Sequence, residues 1–66
     1  MYMPEHAIGD VVVIPRHHGS GSGKVGRICD IRTTDVGVFY LVDVSTSAIY
    51  EKIRVLACAL DEQQRG

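Results

Sequence analysis

Long hydrophobic runs are missing from this chain, and their absence excludes a membrane-spanning helix. The longest apolar stretches, residues 11–14 and 36–42, fall far short of the roughly 20 residues that a bilayer requires. An excess of charge of one sign is missing too, since seven basic residues face eight acidic ones and the net charge is −1. With no tryptophan, three tyrosines and one phenylalanine, the chain also has few platforms for stacked bases. We therefore expect neither a membrane nor a nucleic acid as its partner.

Cysteine is scarce, which excludes a disulfide-rich scaffold. Cys29 and Cys58 are the only two, and residues 1–5 lack the basic and apolar segments of a secretory signal. We expect two reduced, buried thiols in a cytoplasmic protein, with a Cys29–Cys58 bridge as the less favoured alternative.

Length limits the chain to one small domain. Its 66 residues bury only about 60% of the surface of the unfolded chain, so the domain is marginal alone. Repeats and linkers are missing, and we take residues 1–66 as a single domain with a core at 7–60 and a polar tail at 61–66. Homo-oligomerisation is the expected reinforcement.

Apolar runs separated by turn residues predict an all-β fold. Residues 11–14, closed by Pro15, and residues 36–44 are rich in β-branched side chains and predict two strands. Residues 24–32 between them carry apolar residues three apart, which fits a strand with a bulge. The turn-forming residues 33–37 predict a hairpin that joins this strand to the next.

The C-terminal half is more ambiguous. Residues 48–50 predict a short fourth strand. Residues 53–60 carry apolar residues at helical spacing, yet residues 55–60 also suit a strand. We favour a 3₁₀ turn near residues 51–53 followed by a fifth strand, because a fifth strand would close a small barrel. The prediction is a five-stranded SH3-like barrel.

The glycine-rich stretch RHHGSGSGKVG, residues 16–26, has features of a ligand site. Residues 21–26 satisfy the pattern G-x-G-x-x-G, but a strand follows where a dinucleotide-binding loop requires a helix. His17 and His18 are adjacent and point to opposite faces of an extended chain, so we expect no metal site. We predict that residues 17–24 are a hairpin tip with few buried contacts.

Four segments resemble a known family. The order of IGDVVV, GKVGRICDI, TTDVGVFYLVDVSTSAIY and VLACAL is similar to that of the plasmid-borne, trimethoprim-resistant type II dihydrofolate reductases. The resemblance implies an SH3-like barrel, four subunits around a pore that binds folate and NADPH, and a pore lining that includes Ile49 and Tyr50. In size and style the chain also resembles the products of integron gene cassettes.

Two polar positions of that family are apolar in this chain. Ala48 stands where the family's pore segment has glutamine, and Ile14 stands where the family has a lysine for anionic ligand groups. Apolar side chains neither orient a pterin nor neutralise a carboxylate. We therefore predict a non-catalytic, homo-oligomeric binding module without a cofactor. The alternative is a small-ligand binder or reductase that uses NADPH at a site between subunits.

Alternation along the strands predicts which apolar side chains face outward. If Val12 and Ile14 face the core, Val11 and Val13 face out; if Tyr40, Val42 and Val44 face the core, Phe39 and Leu41 face out. Such a set indicates an interface with another copy or with a protein or peptide. The alternative is an inverted strand register, in which the same residues belong to the core.

Overall fold

The computed structural model describes residues 2–16, 18–19 and 21–65. The described chain is mostly β, with four antiparallel strands in one open sheet in the order β1-β2-β3-β4, followed by one helix. The elements are β1 (Val11–Val13), β2 (Val25–Thr34), β3 (Gly37–Asp43), β4 (Lys52–Leu56) and α1 (Ala57–Arg65).

The first two hairpins follow the sequence-based prediction. The ladder between β1 and β2 continues past the strand ends, because Ile14 N–H donates to the Lys24 carbonyl at 2.8 Å and Ile28 N–H donates to the Asp10 carbonyl at 2.9 Å. The predicted bulge in β2 is confirmed by a register shift between Ile28 and Asp30 opposite β3. Gly37, at φ +136°, closes the turn into β3.

Gly26 is required inside β2 by close packing. A Cβ atom at this position would lie 2.6 Å from a methyl carbon of Val42 and 2.7 Å from the Asp43 carbonyl oxygen. Glycine therefore lets β3 and the segment after it approach the start of β2.

The core confirms the predicted strand faces. Val12, Ile14, Tyr40, Val42 and Val44 are all at most 7% exposed, so the inverted register is wrong. Both helix and strands contribute to the core, whose remaining members are Ile28, Val38, Ile53, Val55, Ala57 and Leu60.

The C-terminal half differs from the prediction. Residues 48–50 are a loop rather than a strand, residues 52–56 are β4 rather than the end of a 3₁₀ turn, and residues 57–65 are helical rather than strand and tail. Alanine, leucine and glutamine in this segment favour a helix, and α1 buries Ala57, Leu60 and Asp61 on one face. The chain accordingly covers its sheet with α1 where a fifth strand was expected.

Contacts from α1 and the glycine-rich loop reach both edges of the sheet. Gln64 Nε2 donates to the Val13 carbonyl at 3.2 Å on β1, while His18 Nε2 donates to the Arg54 carbonyl at 2.8 Å on β4. These bonds occupy backbone acceptors that an open edge otherwise exposes.

Candidate interaction surface

The sheet has an outer face that α1 does not cover, and three valines lie together on it. Val13 and Val25 are register partners on β1 and β2, and Val11 lies two residues before Val13 on the same face. Their exposed fractions are 58% for Val11, 36% for Val13 and 61% for Val25. We call this group the valine patch. Val25 was not among the residues predicted for the interface, although its pairing with β1 places it there.

A charged row separates the valine patch from the other two predicted interface residues. Arg27 is the partner of Val11 on β2 and of Asp43 on β3, and Asp43 is the partner of Lys52 on β4. A hydrogen bond from Ser45 is the main cause that lowers the pKa of Asp43. The predicted set Val11, Val13, Phe39 and Leu41 therefore faces outward as expected but forms two separate groups.

The second group lies between two arginines. Phe39 and Leu41 are half-buried on β3, with Arg32 beside Phe39 on β2 and Arg54 beside Leu41 on β4. The Arg54 guanidinium carbon lies 5.0 Å from the centre of the Phe39 ring. Together with Tyr40 these four residues line a shallow depression of about 240 Å³, which we call the Phe39 depression.

The segment between β3 and β4 holds Ile49 and Tyr50 in solvent. Ile49 is 60% exposed and Tyr50 is 79% exposed. Thr46 organises the loop, because its N–H donates to the Ile49 carbonyl at 2.8 Å and its hydroxyl accepts the Ile49 N–H at 3.1 Å. Lys52 Nζ lies 5.5 Å from the centre of the Tyr50 ring, and its hydrogen bond with Tyr50 is the largest cause that raises the pKa of Lys52.

The loop at residues 45–50 and the valine patch lie at the same end of the sheet. Lys24, which precedes β2, pairs with Glu51, which precedes β4, at 2.9 Å between Nζ and Oε1. Ser45 clamps the base of the loop, since its hydroxyl accepts the Glu51 N–H at 2.9 Å. The ordered loop therefore presents two apolar side chains near the end where Val13 and Val25 are exposed.

The glycine-rich loop is a tight turn with specific contacts. Gly19, Gly21 and Gly23 all have positive φ, and Gly21 packs so closely on Ile53 that an added Cβ would lie 1.9 Å from Ile53 Cδ1. The expectation of few buried contacts is therefore wrong at Gly21. His17 and Ser20, which were part of the same prediction, lie outside the described residues.

Asp61 is the buried polar residue that sequence reasoning missed. It is 1% exposed and accepts hydrogen bonds from Glu5 N–H at 2.9 Å, from the Tyr40 hydroxyl at 2.8 Å and from the Tyr2 hydroxyl. His6 Nδ1 lies 2.5 Å from Asp61 Oδ1. Burial is the main cause that raises the pKa of Tyr2, and it raises the pKa of Tyr40 to about 12.

These bonds attach residues 2–7, the N-terminal arm, to α1. The arm also donates the His6 N–H to the Tyr40 hydroxyl at 3.1 Å, and the His6 and Tyr40 rings meet edge to face at 5.9 Å. Such a His–Asp pair resembles catalytic pairs, but His6 lines neither the Phe39 depression nor the larger cleft that lies beside α1. The role of the His6–Asp61 pair that the geometry supports is structural, because the pair holds the arm against α1.

An open cleft of about 650 Å³ lies beside α1. Pro15 and His18 line one side, and the other lining residues are Val55, Leu56, Ala59, Glu62 and Gln63. Among residues 2–16, 18–19 and 21–65 no three His, Cys, Asp or Glu side chains come together in a group able to hold a metal.

The two cysteines are separate free thiols. Cys58 is exposed on α1, so the expectation that both are buried is wrong for this residue. Cys29 is partly buried at the bulge, where its thiol donates to the Leu41 carbonyl at 3.3 Å. In the part of the chain that the structure describes, no helix is long and apolar enough to cross a membrane.

Comparison with known proteins gives no further assignment. No protein-family profile, curated protein sequence or solved structure matches the chain.

Proposed function

We propose that the chain is a non-catalytic, cytoplasmic SH3-like module that assembles with copies of itself. The observation that carries this proposal is the valine patch, three exposed β-branched side chains on adjacent strands of an uncovered sheet face. Scattered apolar residues are ordinary on protein surfaces, but an apolar group on paired strands is typical of an interface. The meander of four consecutive antiparallel strands supports the SH3-like description, and α1 packs on the core in place of the fifth strand.

Size and energetics support self-association. A 66-residue domain is marginal on its own, and covering an exposed valine contributes on the order of 1 kcal/mol. Ile49 and Tyr50, on the ordered loop at the same end, extend the apolar surface that a second copy would cover. The residues around Phe39 are not part of this proposed interface and remain available to a different partner.

Sedimentation velocity over a wide range of protein concentration tests the proposal. We expect a species heavier than the 7.2 kDa chain, and we expect Val11→Asp to convert it to monomer because the new carboxylate would lose its hydration at the interface. Val36→Asp is the matched control, since Val36 is 79% exposed in the turn between β2 and β3. A wild-type monomer at all concentrations, or equal effects of both substitutions, would contradict the proposal.

A second candidate function is a small-ligand site between subunits, with NADPH as the cofactor of a reductase. The observation that favours it is the preorganised loop that exposes Ile49 and Tyr50 together. Against it, Ile14 is fully buried in the core, so the position that holds a ligand-binding lysine in the resembled family contributes nothing to a surface site here.

Titration with NADPH, followed by an assay with dihydrofolate, separates the two candidates. The interaction module predicts no saturable binding of NADPH by the assembled protein. Saturable binding that Tyr50→Ala abolishes, without a change in sedimentation, would support the ligand site instead.

A further inference from the structure

The geometry points to a second binding site on the outer sheet face: the Phe39 depression binds a short protein segment that carries a carboxylate beside an apolar side chain. This inference is independent of self-association, because the charged row Arg27, Asp43 and Lys52 separates the depression from the valine patch. The inference rests on the combination of an apolar floor, formed by Phe39 and Leu41, with the guanidinium groups of Arg32 and Arg54 at the corners of the depression.

The floor and the corners are fixed by strand register. Phe39 and Leu41 lie on one face of β3, two residues apart. Arg32 is the partner of Phe39 and Arg54 is the partner of Leu41, so the arginines flank the apolar pair diagonally from opposite sides. A ligand seated on the floor would meet a guanidinium group on each side.

Arg54 is the principal anion-binding group. Its guanidinium lies over the Phe39 ring, and stacking of this kind orients the planar group while leaving its N–H donors at the edge. No carboxylate of the described residues forms an ion pair with Arg54. Arg32 is partly neutralised, because its Nε lies 2.8 Å from Asp30 Oδ2 and this bond lowers the pKa of Asp30.

Charge complementarity favours an acidic partner. The whole chain has a net charge of −1, yet basic side chains outnumber acidic ones on the outer face of the strands. The basic residues there are Arg27, Arg32, Lys52 and Arg54, and the acidic residues are Asp30 and Asp43. An acidic segment is therefore attracted to this face although the protein as a whole is slightly acidic.

The size of the depression favours side chains of a protein segment over a whole small molecule. Its volume of about 240 Å³ is below the range of roughly 300–1,000 Å³ that is typical of small-molecule pockets. That volume suits one or two side chains, with an apolar group on Phe39 and Leu41 and a carboxylate on Arg54.

Fluorescence anisotropy with a labelled peptide tests the site. The probe is fluorescein-labelled Gly-Asp-Phe-Glu-Leu-Asp-Phe-Gly, and its counterpart replaces the acidic residues with their amides. We expect the acidic peptide to bind the wild-type protein at least about tenfold more tightly than the amide peptide, which corresponds to about 1.4 kcal/mol. Arg54→Gln should weaken binding of the acidic peptide by a similar factor.

Two variants and one further measurement make the result specific. Arg16→Gln removes the same charge from an exposed loop residue outside the sheet face and should leave the affinity within about twofold. Arg54→Lys keeps the charge but loses the planar guanidinium, and should weaken binding nearly as much as Arg54→Gln. Circular dichroism of each variant checks that the fold is retained.

Three results would overturn the inference. The first is the absence of saturable binding of the acidic peptide up to about 1 mM. The second is an equal loss of affinity for this peptide in Arg16→Gln and Arg54→Gln, which would indicate general charge attraction. The third is a change in sedimentation of Arg54→Gln, which indicates that a second copy covers the depression. Val11→Asp protein that is monomeric yet binds the peptide normally would support it and show that the two surfaces are separate.

Discussion

Asp61 is the residue on which the attachment of the N-terminal arm depends. Its carboxylate is buried and receives donors from Tyr2, Glu5, His6 and Tyr40. A buried carboxylate is stable in such a place only when hydrogen bonds replace its lost hydration. The sequence gives no periodic signal for it, because an acidic residue in a polar C-terminal segment ordinarily faces solvent.

Replacing Asp61 tests how much this cluster stabilises the fold. Asp61→Asn keeps the size of the side chain but loses the charge-assisted acceptors, so we expect the free energy of unfolding to fall by about 2 kcal/mol. Chemical denaturation followed by circular dichroism measures the change. Glu62→Gln, at the exposed neighbouring position on α1, is the control and should be nearly neutral; equal stabilities of the two variants would contradict the prediction.

The tyrosines of the same cluster predict a loss of stability at alkaline pH. Burial first, and the bond to Asp61 after it, raise the pKa of Tyr40 from 10.0 to about 12 and also raise the pKa of Tyr2. A raised pKa in the folded state means that the neutral phenol stabilises the fold. That contribution is complete below pH 10 and is lost as the pH rises from about 10 to about 12.

Thermal unfolding at increasing pH measures this loss. We expect the melting temperature of the wild type to fall across that interval, and the fall to be smaller in Tyr40→Phe, which has no phenol to ionise. A melting temperature of the wild type that is constant up to pH 12 would show that ionisation of Tyr40 is not coupled to folding.

At the scale of the element, the glycine-rich turn between β1 and β2 depends on one close contact. Gly21→Ala adds a methyl group 1.9 Å from Ile53 Cδ1 at a φ of +71°. Gly19→Ala, at a φ of +92° with no atom within 4 Å of the new Cβ, carries the backbone cost of about 1 kcal/mol without the clash. We expect Gly21→Ala to be clearly the more destabilising of the two by thermal unfolding.

The double variant Gly21→Ala with Ile53→Val provides the decisive comparison. Valine lacks the Cδ1 atom, so the double variant should recover part of the loss caused by Gly21→Ala, although Ile53→Val alone destabilises the core. Simple additivity of the two substitutions would show that Gly21 does not pack on Ile53 in solution.

Elements of the sheet were predictable from sequence because their signals are local. The alternation in β3, the β-branched residues of β1 and the bulge in β2 all leave patterns within a few residues. The structure of residues 52–65 was not predictable in this way, because residues 53–60 carry apolar residues at helical spacing and also form an apolar run that suits a strand. Packing of Leu60 and Asp61 against the sheet and the arm favours a helix over a strand in this segment. Because this packing joins parts of the chain that are remote in sequence, it leaves no local pattern.

Outward strand positions were predictable, but their grouping on the surface was not. The direction of Val11, Val13, Phe39 and Leu41 follows from alternation alone. Their separation by Arg27 and its neighbours depends on the register between strands, which is set by the bulge and by the turns.

For the whole molecule, self-association predicts that thermal stability depends on protein concentration. Assembly that stabilises the folded state raises the melting temperature as concentration rises, and in a domain of this size a shift of several degrees is expected over a hundredfold change. Calorimetry of the wild type and of Val11→Asp measures the effect. The variant should melt at one temperature throughout; a wild type that behaves in the same way would count against assembly.

The bonds between the N-terminal arm and α1 have a consequence for folding kinetics. Each hairpin of the sheet joins neighbouring segments, whereas the His6–Asp61 contact spans 55 positions of the chain. Such a contact closes a long loop and is expected to form after the main barrier. In stopped-flow measurements Asp61→Asn should therefore unfold faster than the wild type while refolding at nearly the same rate. The attached arm thus lowers the rate of unfolding and is not part of the folding nucleus.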